Sequence, residues 1–184
     1  MAIRTARLIV RRFRSEDWAD LLAYLSMPEV YRFEPGEPIE EAEARRLAAE
    51  RAADPGFQAI ELRSTGVMVG HCSFLEADAP ELAVRELGFI VNPAYQGHGY
   101  AAEAGLALAE SALRTGSVHR VVAHCHPDNR ASWRTLERIG FTREGWMRQD
   151  VFFRRDADGQ PVWQDTLVYG LLAADLTRGA AAGA

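Results

Sequence analysis

Cysteine is scarce in this 184-residue chain. Cys72 and Cys125 lie far apart in strand-like surroundings, so buried free thiols are expected and a disulfide framework is not. No apolar run approaches the ~18 residues of a membrane span. Met1-Ala2-Ile3-Arg4 leads into a short mixed strand rather than a signal-peptide core, so a cytoplasmic protein without a membrane partner is expected. Positive charge is outweighed: 21 Lys+Arg against 26 Asp+Glu give a net charge of -5. That balance lacks the basic stripe of a nucleic-acid surface, and no nucleic-acid partner is expected. Repeats, low-complexity tracts and linkers are also missing. One domain over residues 1–176 is expected, followed by a frayed Ala/Gly tail at 177–184.

What remains is ordinary globular material, with 48% hydrophobic and 26% charged residues. Residues 6–13 read as a first strand, with Leu8 and Val10 on one face and Arg7, Ile9 and Arg11 on the other. Ser15-Glu16-Asp17 opens a helix, Trp18, Leu21, Leu22 and Leu25 fall at helical spacing, and Pro28 ends it. A loop over 29–39 holds Tyr31 and Phe33, read as packing under the loop, with lining a substrate mouth as their other reading. A helix over 40–53 and a hairpin of 57–63 with 67–75 follow, then a polar connection at 77–82. After the central segment come a strand over 118–125, a helix to Ile139 stopped by Gly140, and two long strands joined by Asp156-Ala157-Asp158-Gly159. Hairpin strands with few crossover helices predict a mixed α/β (α+β) fold: a largely antiparallel sheet of six to seven strands, flanked by about four helices.

The centre of the chain carries its strongest signal. Leu87-Gly88-Phe89-Ile90-Val91 reads as a buried strand ended by Asn92-Pro93, and residues 100–114 read as a helix rich in Ala, Leu and Glu. Between them, Gly97 and Gly99 remove side chains where the helix begins. A helix start has unpaired amides and the positive end of the macrodipole, so this loop is expected to cradle a diphosphate.

Gln96-Gly97-His98-Gly99-Tyr100-Ala101 resembles the Gln/Arg-x-x-Gly-x-Gly/Ala signature of the GNAT N-acetyltransferases. A second block, from Asn129-Arg130-Ala131-Ser132 to Gly140-Phe141, is similar to a branch that includes the ribosomal-protein N-terminal-alanine acetyltransferases. Thr5 to Arg11, Glu86 to Phe89, Gly99 to Ala104 and Asp165 to Tyr169 fall where that branch has similar stretches, so the resemblance covers roughly residues 5–172. It implies a GNAT-like sheet splayed at the middle, with acetyl-CoA as co-substrate. Backbone amides near Phe89, Ile90 and Val91 would hold the pantetheine and polarise the acetyl carbonyl. The loop of Gln96, Gly97, His98, Gly99, Tyr100 and Ala101 would hold the diphosphate. Asn129 would bond the pantetheine arm, and Ser132 the coenzyme sulfur; their other reading is a helix start, with Asn129 as the N-cap and the Ser132 hydroxyl bonded to it. Glu86 is the candidate base, with an edge salt bridge as its other reading. The acceptor implied is a protein N-terminal amine or a small-molecule amine, and a homodimer is compatible with such folds.

Other residues are read more plainly. His124 and His126 share a strand face while Cys125 points away, so no metal site is expected there. Glu103 is read as structural. Asp165 and Tyr169 share a face and either touch the acceptor or brace the sheet. A non-catalytic coenzyme A sensor would use the same cradle. A nucleotide-dependent oxidoreductase would share the Gly97-His98-Gly99-Tyr100-Ala101-Ala102 pattern, but five residues, Asn92 to Gln96, separate the strand from the glycines.

Overall fold

The computed structural model of the chain describes residues 2–77 and 80–176. The order is β1 (Ile3–Arg4), β2 (Leu8–Arg12), α1 (Trp18–Leu25), α2 (Glu41–Ala53), β3 (Phe57–Leu62), β4 (Met68–Ala77), β5 (Val84–Val91), α3 (Tyr100–Arg114), β6 (Arg120–Cys125), α4 (Arg130–Ile139), β7 (Thr142–Arg155) and β8 (Pro161–Leu172). Among the described residues the strands form one eight-stranded sheet, ordered β1-β2-β3-β4-β5-β6-β8-β7. Every neighbouring pair is antiparallel except β5 with β6. The sheet has more strands than the six to seven expected, partly because residues 6–13 are not one strand with a free start. Thr5 turns the chain, its N–H donating to Leu8 O at 3.0 Å and its Oγ1 accepting from Leu8 N at 3.0 Å. Ile3 and Arg4 thereby fold back onto Val10 and Ile9. The loop after α1 begins with a short turn of 3-10 helix, Pro28–Arg32. Asp78 and Ala79 of the expected polar connection, and the tail at 177–184, lie outside the described residues.

Alternation along the strands feeds two apolar layers. On one face Leu8, Val10, Leu87 and Val91 pack with Leu108 of α3 and Leu136 of α4. On the other, Ala59 and Met68 pack with Leu21, Tyr24 and Leu25 of α1 and Ala48 of α2. α3 lies close to its neighbours because of Gly105, where a Cβ would come within 2.9 Å of Ile139 Cδ1 and 3.2 Å of Leu87 Cδ2. α4 stops at Gly140 (φ 110°), whose N–H bonds the carbonyls of Leu136 and Glu137.

Arg11, on the polar face of β2, is buried rather than solvated. Its guanidinium makes two 2.8 Å bonds to Asp17 and one of 2.6 Å to Glu61. The bond to Asp17 leads the effects that hold its pKa above the usual arginine range, against the cost of burial. Asp17 also accepts from Arg14 N at 2.8 Å, so the triad ties β2 and β3 to the entry of α1. Arg11→Ala would leave buried Asp17 and half-buried Glu61 without their cation, and we expect it to cost about 3–5 kcal/mol in urea unfolding. An unchanged unfolding midpoint would show that the triad contributes nothing net.

Candidate active site

The site begins where two strands part. β5 pairs with β4 along its whole length, from Val84↔Ala77 to Val91↔Gly70. It pairs with β6 only at Val84↔Arg120, Arg85↔Val121 and Glu86↔Val122. Past Glu86 a gap opens. Asn92 N donates to Val69 O at 2.9 Å, which sets the phase of the β4–β5 ladder. Peptide groups alternate in direction along a strand, so those of Gly88 and Ile90 also face β4, and those of Leu87, Phe89 and Val91 face the gap. Ile90 is therefore removed from the expected set of free amides: its main chain belongs to the β4 ladder, and its side chain packs with the α1/α2 layer.

The glycine loop closes one end of that gap. Gln96 Nε2 donates to Val91 O at 2.9 Å, so the Gln96 side chain fixes the loop to the strand end. Gly97 and Gly99 have φ of 79° and 78°, and a Cβ at Gly97 would meet nothing within 4 Å. Gly99 precedes α3 with no side chain capping the helix, and the first backbone bond of α3 runs from Glu103 N to Gly99 O at 3.1 Å. The amides of Tyr100, Ala101 and Ala102 come before that bond. His98 turns onto its own loop, with Nδ1 2.9 Å from Gln96 O and its ring stacked on Tyr100. Its imidazole is thus engaged within the loop itself. Sequence reasoning missed the residue that braces this loop, because Arg7 is remote in the chain. Arg7 donates to His98 O at 2.8 Å and to both oxygens of Glu103, while Thr5 Oγ1 donates to Glu103 Oε1. Burial pushes the Glu103 carboxyl up, but these bonds outweigh it and hold the pKa below the ordinary value.

Beside the gap, at mid-strand, lies a cleft of about 480 Å³ into which Glu86, His124, Ser132 and Asp165 all face. Glu86 Oε1 sits 2.9 Å from His124 Nδ1, an interaction between adjacent parallel strands. Asp165 accepts from Trp146 Nε1 (2.7 Å) and Gln149 N (3.0 Å), which pull its pKa down, the Trp146 bond most. Those bonds pin an irregularity in β7, where Met147↔Thr166 gives way to Val151↔Gln164 and Gln149 takes φ 51°. Tyr169, on the same strand, is buried and donates to Glu137 Oε1 of α4 at 3.2 Å. Of that pair, Tyr169 braces the sheet and Asp165 borders the cleft.

α4 brings two more residues to the cleft. Asn129 caps the helix, its Oδ1 accepting from Ser132 N at 3.2 Å. The cap uses the Ser132 amide and not its hydroxyl, which lies beside the Cys125 thiol. Burial pushes that thiol up to about 11, the Ser132 hydrogen bond acting the other way. The loop after α1 forms the opposite wall. Phe33 stacks on His126 with centroids 5.1 Å apart, while Tyr31 turns into the core and donates to Leu25 O at 2.9 Å. So one loop aromatic packs, as expected, and the other lines the cleft. Glu34, which drew no attention in the sequence, also lines it, and burial pushes its carboxyl up to about 7. Among the described residues no three His, Cys, Asp or Glu side chains group as a metal site would require.

A family model described as "Acetyltransferase (GNAT) domain" matches residues 7–142. The chain belongs to the GNAT acetyltransferases. It is 31% identical over 173 residues to the uncharacterized N-acetyltransferase YnaD of Bacillus subtilis (strain 168), covering 94% of this chain and 97% of that one. The ribosomal protein uS5-alanine N-acetyltransferase of Escherichia coli (strain K12) is 33% identical over 93 residues, half of this chain and 45% of that one. A GNAT-family acetyltransferase from Bacillus anthracis superposes with a TM-score of 0.84 at 28% identity, covering 94% and 98% of the two chains. This GNAT chain is thus an acetyl-CoA-dependent acyltransferase, and its residues suit that co-substrate. Open space at Gly97 and an uncapped helix start match a diphosphate, and the strand gap matches an amide-bearing arm. No helix among the described residues is long and apolar enough to cross a membrane.

Proposed function

We propose that the protein moves an acetyl group from acetyl-CoA to a primary amine by direct transfer in a ternary complex. The acceptor is a protein N-terminal amine or a small-molecule amine, and the half-length likeness to a uS5-alanine acetyltransferase supports the first. One observation carries the reading: cradle, strand gap and cleft follow one another along β5, so a cofactor gripped at Gly97–Ala101 has its thioester end beside Glu86 and Ser132. The Phe89 and Val91 amides hold the pantetheine arm as an added strand, and one of them stabilises the oxyanion. Asn129 keeps its Nδ2 for the same arm. Glu86 takes the acceptor's proton, directly or through water, and Ser132 returns a proton to the departing thiolate. Direct transfer is supported by the state of the one thiol lining the cleft, since burial pushes Cys125 up to about 11 and a protonated thiol is a poor covalent relay.

The assay is free-thiol release from acetyl-CoA with a panel of amines. All 21 basic residues are arginine and the chain has no lysine, so acetylation of its own lysine side chains cannot mimic turnover. Thiol release that depends on the amine, with intersecting initial-velocity lines, is the expected result. Tight coenzyme A binding with no thiol release for any amine would mark a sensor instead, and parallel lines would replace direct transfer by a covalent relay.

A further inference from the structure

We infer that Glu34, on the loop between α1 and α2, is the carboxylate that receives the acceptor's ammonium group, and that it selects cationic primary amines carrying an apolar substituent. The inference rests on the acetyl-transfer reading and adds to it the chemistry of the acceptor.

Four carboxylates line the cleft, and they are not equivalent. Asp165 is committed to Trp146 and Gln149. Glu86 is paired through Oε1 with His124. Asp150 is exposed at the rim on β7. Glu34 is sheltered, and no hydrogen bond or ion pair to another described residue offsets the cost of that burial. Its position is nevertheless well fixed. Phe33, immediately before it, stacks on His126; Tyr31 donates to Leu25 O, and Arg154 of β7 donates to Tyr31 O. A carboxyl sheltered from water without a cation is harder to ionise, and burial pushes Glu34 up to about 7. An arriving ammonium supplies the missing partner, and pairing restores the full charge.

The lining supports the same acceptor class. No arginine lines the cleft among the described residues, so no fixed cation repels an ammonium there. Phe33, Met147, Val151 and Phe153 supply apolar walls beside the carboxylates. A cationic head with an apolar neighbour matches both features; an anionic or polyhydroxylated acceptor matches neither.

The test uses two acceptors that differ in charge at pH 7.5, 2-phenylethylamine (cationic) and aniline (neutral), with saturating acetyl-CoA and wild type, Glu34→Gln and Glu34→Asp. Glu34→Gln is expected to raise KM for phenylethylamine by about 10- to 100-fold while leaving its kcat and the KM for aniline unchanged. Glu34→Asp, which keeps the charge on a shorter arm, is expected to fall between wild type and Glu34→Gln. Coenzyme A affinity measured by calorimetry checks that each variant is folded. An unchanged KM for phenylethylamine, or an equal rise for both amines, overturns the role of Glu34 while leaving acetyl transfer standing. No thiol release by wild type with any amine overturns both.

Discussion

Gly99→Val is expected to weaken coenzyme A binding by about 100-fold, measured by calorimetry on the otherwise intact protein. Gly99 sits at φ 78°, ψ 15°, immediately before α3, in the left-handed region. A β-branched residue is an outlier there, and holding such a conformation costs of order 1–3 kcal/mol. Crowding contributes less. A Cβ at Gly99 would lie 3.7 Å from Arg7 Nη2 and 4.0 Å from Arg138 Nη1, which is ordinary contact. The loop can relieve the strain only by rotating the peptide that leads into α3, and that rotation turns the first amides of the helix away from a bound diphosphate. Gly99→Ala separates the two effects, since its Cβ fits the space and only the dihedral cost remains, about 1–2 kcal/mol. If valine at this position left the affinity of coenzyme A intact, the diphosphate would have to bind elsewhere.

The parts of this site that were legible in the sequence are those written in contiguous residues. Leu87 to Val91, the break at Asn92-Pro93, the two glycines and the Ala-rich helix form one local signal, and they fold as one local unit. Gly140 announced the end of α4 in the same way. What stayed hidden depends on which distant residues meet. Glu86 and His124 come together only because β5 and β6 run parallel in one particular register. Ile90 was separable from Phe89 and Val91 only once the β4 ladder had a phase. The alternation of residues 6–13 puts Arg7 and Arg11 on one face but does not say that Glu103 and Asp17 meet them there, and nothing local marks Glu34 as sheltered. The irregularity of β7 at Gln149 has no glycine to advertise its positive φ; Asp165 holds it from the neighbouring strand.

Glu86→Gln is expected to lower kcat by about 100- to 1,000-fold and to leave coenzyme A affinity unchanged. The substitution keeps the shape of the side chain and an atom able to bond His124, so the strand pairing at Glu86↔Val122 is preserved. It removes the negative charge and, with it, the capacity to accept a proton. His124 occupies one oxygen of the carboxylate and steadies the side chain, and Oε2 is left for the amine or for a water between them. An amine must be neutral to attack a thioester, and at pH 7 most alkylamines are not. The base therefore matters most when the neutral amine is scarce. The deficit of Glu86→Gln should shrink as the pH rises toward the pKa of the amine, because solution then supplies the form that Glu86 otherwise makes. That pH dependence separates a lost base from a distorted cleft, whose deficit would stay constant. It also separates Glu86 from Glu34: the former changes kcat, the latter KM for a charged acceptor. An unaltered kcat in Glu86→Gln would reduce Glu86 to an edge salt bridge and return the proton to water.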